Sequence, residues 1–283
     1  MKGEKGRLVC VWSPLLHREG CSTLACSLGF GLHRRSAGRV LIVDRSGSIS
    51  GISSFLEKDI EIRYSIDNLK IFGSGIRADH IKAYGTQVNT ELYMLAGSRL
   101  EKGPESGGCE FDRYFIDSCL EGFDLVIADI GAGMTERKGL YLDSADCIIS
   151  VCTPDEVMLD QMLRGTIPKS VLGHFSGEKT VHAFNKLHNS WEVHSVVGRY
   201  RRRYGLKKAF GFEYDGDLLN ACCLDRKLYS FLTRRFGDRS CVYMKQLDGI
   251  CSFVAGELSL SEKHTEAGPD GGLFNRLRRI SLY

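Results

Sequence analysis

Short runs of apolar residues, separated by longer stretches of mixed polarity, recur along the chain. Runs of this length, without interrupting polar residues, are typical of strands buried on both faces of a sheet. We therefore predict strands at residues 7–13, 39–44, 91–96, 124–129, 146–153, 179–185 and 209–214. The strands at 39–44 and 124–129 end in an aspartate, and the strand at 7–13 runs into a loop. The carboxyl ends of parallel strands meet at one edge of the sheet, so polar side chains are expected there.

The stretches between the runs indicate helices. Residues 22–35 form one, with Gly38 in the position of a C-cap, and others are predicted at 111–121, from 154 to 164, and beginning within 49–56. Residues 7–44 thus form a strand–loop–helix–strand unit of the size that a right-handed parallel crossover needs. The expected fold is α/β, a doubly wound and mostly parallel sheet with both faces covered by helices.

Composition places few limits on function. The net charge of the 283 residues is +3, so any basic function has to be local, and 43% hydrophobic residues allow a full core. The eleven cysteines lack metal-type spacing and fit reduced, buried thiols. No apolar run reaches the length of a membrane span, and we expect a cytoplasmic protein. The organisation is predicted as a domain at 1–258, a flexible linker at 259–272 and a tail at 273–283.

The loop after the first strand carries the candidate chemistry. Ligands of open α/β sheets bind outside the carboxyl ends of the strands, where residues 14–23 lie. A phosphate-binding loop there needs a glycine, a lysine, and a serine or threonine for magnesium. Gly20, Ser22 and Thr23 satisfy the first and last requirements, but Cys21 stands where the lysine is needed.

This loop resembles the deviant Walker A segment of the ParA/MinD ATPases, K-G-G-x-G-K-T-T. In that alignment Leu16, His17 and Arg18 occupy the K-G-G positions and Cys21 replaces the second lysine. The resemblance implies a P-loop fold of the ParA/MinD type that has lost both of its phosphate-loop lysines, including the one that reaches across a dimer.

Two further segments resemble the switch regions of the same family. LIVDRSGSISG at 41–51 is similar to switch I and retains its first aspartate as Asp44, with Ser46 in place of the hydrolysis-linked aspartate. FDLVIADIGAG at 123–133 is similar to the Walker B and switch II segment, with Asp129 as its aspartate. The resemblance implies magnesium held by Ser22, Asp44 and Asp129.

The remaining resemblance concerns the base pocket and extends the match over about residues 7–235. ADCIISVCTPDEVML at 145–159 follows the family pattern, and HAFNKL at 182–187 places Asn185 on an adenine-contacting asparagine. GFEYDGDLLNA at 211–221 places Tyr214 and Asp215 near the base. ELYMLAG at 91–97 is similar to the CpaE/TadZ branch, the localisation factors of Flp-type pili, which tolerates degraded phosphate loops.

These resemblances imply ATP or ADP with magnesium as the ligand, and the alternative is a vestigial site that binds no nucleotide. They also imply a homodimer and little or no hydrolysis, because the nearest cations and a carboxylate are missing. The first interpretation is a nucleotide-binding or pseudo-ATPase localisation scaffold for a pilus or secretion assembly. The alternative is a slow ATPase in which Arg18 replaces the lysine. Other interpretations are that Arg18 is a solvated loop residue, that Ser22 and Thr23 only cap a helix, and that Cys21 is an inert replacement rather than a reactive thiol.

A basic segment at 198–208 (GRYRRRYGLKK) suggests a third function, DNA partition. Basic residues interleaved with aromatics can bind a nucleic-acid backbone. The alternative is a solvated helix face. The candidate residues are Arg199, Arg201, Arg202, Arg203, Lys207 and Lys208.

The tail suggests a membrane contact. As a helix it places Leu273, Phe274, Leu277 and Ile280 on one face, with arginines around the rest. Such a basic amphipathic segment behind a linker is typical of a peripheral anchor at the inner face of the cell membrane and is similar to the membrane-targeting helix of MinD. A disordered tail, or a strip packed on its own domain, is the alternative.

Overall fold

The computed structural model describes residues 5–15, 19–36, 38–47, 51–52, 60–98, 108–164 and 169–261. Eight strands are present in this part of the chain: β1 Arg7–Ser13, β2 Val40–Asp44, β3 Thr86–Gln87, β4 Leu92–Leu95, β5 Leu125–Ala132, β6 Cys147–Cys152, β7 Thr180–Leu187 and β8 Ala209–Glu213. Eleven α-helices accompany them: α1 Cys21–Arg35, α2 Ile66–Leu69, α3 Ala78–Tyr84, α4 Gly108–Gly122, α5 Glu136–Ser144, α6 Glu156–Leu163, α7 Lys169–Phe175, α8 Ser190–Tyr204, α9 Gly216–Cys223, α10 Leu228–Arg235 and α11 Val242–Glu257. A 3-10 helix, Lys70–Gly75, follows α2.

The strands form one sheet in the order β3-β4-β2-β5-β1-β6-β7-β8. Every pairing is parallel except that of β3 with β4. Strands β2, β3, β4 and β5 lie on one side of β1, and β6, β7 and β8 lie on the other. The direction in which successive strands are added therefore reverses at β1. A crevice at the carboxyl end of β1 is the expected ligand position in such a sheet.

Alternate residues of each central strand pack into two separate cores. In β1, Val9 and Val11 face one core, whereas Cys10 and Trp12 face the other. Helices α1, α9, α10 and α11 cover the first face, and α2 to α8 cover the second. Both faces are therefore buried, which explains why the strands are uniformly apolar rather than alternating.

The predicted α/β fold and all seven predicted strands are confirmed, with shifts of one to three residues at their ends. The helix predicted at 22–35 begins at Cys21, and its C-cap is Ser36, so the assignment of Gly38 as C-cap is wrong. Gly38 instead has a φ of 119° and lies against Asp124, whose side chain accepts the Arg39 amide at 2.7 Å.

Several predictions fall outside the described residues. These are the loop residues Leu16, His17 and Arg18, most of the helix expected to begin within 49–56, nearly all of the linker, and the whole tail at 273–283. In the part of the chain that is described, no helix combines the length and the hydropathy that a membrane span requires.

Candidate functional site

The N-terminus of α1 opens onto the crevice at the end of β1. Its N-cap is Gly20, with φ 95° and ψ 22°, and no side chain caps it. Ser22 and Thr23 therefore lie inside the first turn, and the interpretation that they cap the helix is wrong. Uncapped amides at a helix N-terminus carry partial positive charge and are suited to an anion such as phosphate.

Gly20 is required by its surroundings. A Cβ at this position would clash with the side-chain nitrogen of Asn185, and a positive φ disfavours any other residue. Asn185 donates from Nδ2 to the Glu19 carbonyl at 2.7 Å. The Glu19 carboxylate in turn accepts the Thr153 amide at 2.6 Å. The end of the loop, directly before α1, is thus fixed to β7 and to the residue after β6.

Two carboxylates meet beside this helix end. Asp44 and Asp129 are register partners across β2 and β5, and both are buried. Asp129 accepts the Gly131 amide on Oδ1 at 3.0 Å, whereas its Oδ2 has no hydrogen-bond partner among the described residues. A buried acceptor of this kind beside a second carboxylate and a serine hydroxyl fits a hard divalent cation such as Mg²⁺.

The two acids interact electrostatically. Burial and the charge of Asp44 raise the pKa of Asp129 to about 7, although the Ser22 hydroxyl, the Gly131 amide and Lys138 act in the opposite direction. Close like charges disfavour simultaneous ionisation. A cation bound between the two carboxylates would favour their ionised forms.

The segment after β2 is held against the acid pair. Asp44 accepts both the amide of Ser46, at 3.0 Å, and its hydroxyl, at 2.8 Å. On the other side, a Cβ at Gly131 would lie 2.9 Å from the Ser46 side chain. Ser46, which the sequence resemblance aligns with a hydrolysis-linked carboxylate, is therefore bonded back to Asp44. A hydroxyl in this arrangement does not supply the negative charge with which a carboxylate would position water.

Cys21 is buried at the first helical position, and burial raises the pKa of its thiol well above the ordinary value. The nearby Asp129 charge acts in the same direction. A thiol held protonated is a poor nucleophile, so this geometry favours the inert replacement over a reactive cysteine. Eight of the eleven cysteines are buried, as expected of structural thiols.

A cavity of about 710 Å³ extends from the α1 N-terminus toward β8. Its lining brings together predicted residues from distant parts of the sequence: Gly20, Cys21, Ser22, Thr23, Asn185, Tyr214 and Asp215. The Tyr214 side chain is 56% exposed at the rim. Asp215 also has a structural task, because it is the N-cap of α9 and accepts the Leu218 amide at 2.9 Å. The volume is in the range of small-molecule sites.

A buried network anchors the chain just after Asp44. Arg45 forms an ion pair with Asp112 of α4 and donates from Nε to the Tyr141 hydroxyl at 3.0 Å. Tyr141 also donates to Asp112 at 2.8 Å. The Arg45 amide donates to the Asp129 carbonyl at 2.7 Å. This network ties the acid pair to α4 and α5.

The basic segment has acidic partners that its local sequence does not contain. Arg199 and Arg203 of α8 form ion pairs with Glu156 at 2.7 and 3.2 Å, and Arg203 also pairs with Asp160 at 2.7 Å. Lys208 pairs with Glu257. Arg201 donates to the Ala209 carbonyl at 2.6 Å. Arg202 and Lys207 are exposed. The segment presents less uncompensated positive charge than the sequence suggests.

Sequence reasoning missed Lys138. Its ammonium donates to the carbonyl of Ala132, which lines the cavity, and its charge lowers the pKa of Asp129. It lies in the first turn of α5, directly after Arg137, where the helix dipole disfavours cations. Two consecutive basic residues, Arg137 and Lys138, a few residues after the strand that carries Asp129 were the available signal.

Comparison with known proteins places the fold. The chain is similar to the ParA family ATPase of Chlorobium tepidum, with a TM-score of 0.70 and 14% identity over 87% of this chain and 98% of that one. It is also similar to a putative plasmid partition protein of Borrelia burgdorferi bound to AMPPNP, with a TM-score of 0.65 and 14% identity over 89% and 100% of the two chains.

A third similar structure is the septum site-determining protein MinD of Pyrococcus horikoshii, complexed with Mg-ADP. The TM-score is 0.62 with 14% identity over 88% of this chain and 96% of that one. No protein-family model and no curated protein sequence matches the chain. At these identities the similarity establishes the α/β P-loop fold of the ParA/MinD ATPases, and function has to be argued from the site.

Proposed function

We propose that this protein binds ATP or ADP with magnesium, hydrolyses it negligibly, and acts as a localisation scaffold of the ParA/MinD type. The observation that carries the proposal is the uncapped N-terminus of α1 at Gly20, placed beside the Asp44–Asp129 pair and open to a cavity of about 710 Å³. Helix amides suit the phosphates, and the acid pair suits the cation.

The base would occupy the part of the cavity between Asn185 and Tyr214. Two of the similar structures contain AMPPNP and Mg-ADP, which supports a nucleotide as the class of ligand. Asn185 is held by its bond to the Glu19 carbonyl, so its side chain has a defined position relative to the loop. This positioning would orient the base with little loss of side-chain entropy.

The proposed loss of hydrolysis rests on the residues that replace charged groups. Cys21 is neutral and buried where a lysine would face the phosphates. Ser46 is bonded to Asp44 where a carboxylate would position water. Removing a single charged donor typically costs about 3–4 kcal/mol of transition-state stabilisation, and here two groups are missing together.

A homodimer is the proposed assembly. Large apolar side chains are exposed at two helix ends, with Val157 at 67% and Trp191 at 76% exposed. They lie near the N-termini of α6 and α8, at the carboxyl edge of the sheet. Exposed apolar groups at the carboxyl edge of the sheet suit contact with a second copy. Light scattering with and without ATP would test it, with Trp191→Ala expected to lower the dimer fraction.

The cargo of the scaffold is proposed from the sequence alone. The degraded loop and the ELYMLAG segment favour a Flp-type pilus or a related secretion machine, with residues 273–283 as a peripheral membrane contact. DNA partition through Arg199–Lys208 is the less favoured alternative, because Glu156, Asp160 and Glu257 compensate several of those charges.

Calorimetric titration with ATP and ADP in magnesium tests the binding proposal, and phosphate release measured on the same sample tests the lack of turnover. We expect binding of both nucleotides, with phosphate release at background. Ser22→Ala combined with Asp129→Ala should abolish the magnesium dependence of binding. Turnover well above background that Arg18→Ala abolishes would replace the scaffold with the slow ATPase.

A further inference from the structure

A second cavity lies toward the opposite end of α1 from the phosphate loop. Its volume is about 330 Å³, and it is bounded by the C-terminal half of α1, the loop between α10 and α11, and the N-terminal half of α11. Its first lining residue on α1 is Gly31, which at about 1.5 Å per residue lies roughly 16 Å along the helix from Gly20. The two cavities share no lining residue among the described ones. The second cavity is therefore a separate site, which nucleotide binding does not explain.

The floor of the second cavity is apolar. Met244, Leu247 and Cys251 of α11 line it, and all three are buried in the core that α1 covers. A Cβ at Gly31 would lie 2.6 Å from the Cys251 sulfur, so the two helices are in close contact here. Phe236, which is 39% exposed, forms one side of the cavity. Such a surface is suited to the hydrocarbon part of a ligand.

The charged residues of the lining leave two cations uncompensated. Asp248 forms an ion pair with Arg35. Asp238 is bound by a guanidinium at the end of α10, at 3.0 Å. Both acids thus have cations of their own, whereas the side chains of Arg239 and Lys245 make no ion pair or hydrogen bond within the described part of the chain. Two exposed cations therefore border an apolar floor.

We propose that the second cavity binds an organic anion with an apolar body, such as a carboxylate or phosphate monoester on a short alkyl chain or an aromatic ring. Arg239 and Lys245 bind the acidic group, and the floor receives the body. The first turn of α11 also lines the cavity, and its N-cap, Cys241, makes no side-chain hydrogen bond. Its amides add partial positive charge at the same place. The volume is at the lower end of the range for small-molecule sites.

An ordinary surface crevice makes a different prediction. In that case the stems of Arg239 and Lys245 only cover apolar surface while their charges stay in water, and a neutral ligand binds as well as an anion. The pair of Arg35 with Asp248 separates the two cases further. Asp248→Asn removes a negative charge and releases a third cation toward the cavity, so it strengthens the binding of an anion only if the cations contact it.

The experiment titrates two anions, octanoate and naphthoate, into the full chain in low-salt buffer and follows binding by calorimetry. Octanol and naphthol are the neutral counterparts, and acetate is the anion without an apolar body. The test variant is Arg239→Gln combined with Lys245→Gln. Its matched control is Arg202→Gln combined with Lys207→Gln, which removes two exposed cations elsewhere and changes the net charge equally.

We expect at least one of the two anions to bind about tenfold or more tighter than its neutral counterpart and than acetate. The test variant should weaken that anion about tenfold to a hundredfold, in line with the loss of charge-assisted hydrogen bonds, and the neutral counterpart less than about twofold. Asp248→Asn should strengthen the anion about twofold to fivefold, as expected of an exposed charge. The matched control should bind as the unmodified chain does.

Three results would overturn the proposal: no binding of either anion, equal binding of anion and neutral counterpart, or equal losses in the test variant and its control. Displacement of the anion by ATP with magnesium would place it in the other cavity and would also overturn the proposal. A failure of the chain to bind nucleotide leaves this inference untouched, because the two sites share no residue. Circular dichroism and thermal unfolding establish that each variant is folded.

Discussion

Replacement of Asp129 by asparagine should stabilise the ligand-free protein. Burial and the Asp44 charge raise the pKa of Asp129 from 3.8 to about 7. Between those values the folded protein retains a proton that the unfolded chain has released, so this group lowers stability as the pH rises through the window. Above pH 7 the penalty reaches about 4 kcal/mol, because one pKa unit corresponds to about 1.4 kcal/mol.

Asparagine removes the charge and keeps an oxygen that can accept the Gly131 amide. We expect Asp129→Asn to raise the free energy of unfolding at pH 8 by about 2–4 kcal/mol, and this gain to be about 2 kcal/mol smaller at pH 5.5. Urea denaturation under reducing conditions measures both values. Asp225→Asn, at an exposed carboxylate, controls for the change in net charge.

A stability gain that is independent of pH, or a loss of stability at pH 8, would show that burial and the Asp44 charge do not destabilise the ionised Asp129.

The same pair of carboxylates predicts that magnesium-dependent binding near pH 7 releases a proton. The calorimetric enthalpy of ATP binding should then vary with the ionisation enthalpy of the buffer, and Asp129→Asn should remove that variation.

Three further changes test the frame of the site. Gly20→Ala should destabilise the fold by more than about 1 kcal/mol and weaken ATP binding, because Gly20 has a positive φ and a Cβ there would clash with the Asn185 side chain. Gly139 has open space around it, so the control Gly139→Ala should be neutral or slightly stabilising. Thermal unfolding measures both variants. Asp112→Ala should cost about 3–5 kcal/mol by leaving a buried guanidinium unpaired, and Tyr141→Phe about 1–2 kcal/mol, both measured by urea denaturation. Deletion of residues 273–283 should reduce co-sedimentation with anionic liposomes, and unchanged co-sedimentation would remove the membrane contact.

Much of the fold was predictable because burial on both faces leaves uninterrupted apolar runs in the sequence. Strand β3 was not predicted, since Thr86–Gln87 is only two residues long and is half-exposed at the edge of the sheet. Helix α11 was missed although its buried positions, among them Met244, Leu247, Ile250 and Val254, follow helical spacing. That signal was present in the sequence.

The site was predictable where its residues directly follow strands. Asp44 and Asp129 come together because adjacent parallel strands end at the same edge. Lys138 reaches the carbonyl of Ala132, which lines the cavity, only because α5 begins close to the end of β5. The acidic partners of Arg203 lie more than 40 residues away from it along the chain. The sequence around the basic segment therefore does not reveal these ion pairs.

The central claim is that the site binds nucleotide without turning it over. The most direct test incubates the purified full chain with magnesium and ATP labelled on the γ-phosphate, isolates the protein–nucleotide complex, and identifies the bound species over time. We expect about one nucleotide per chain, recovered as intact ATP with phosphate release at background. Absence of retained nucleotide would contradict the binding site, and its recovery as ADP after many turnovers would contradict the loss of hydrolysis.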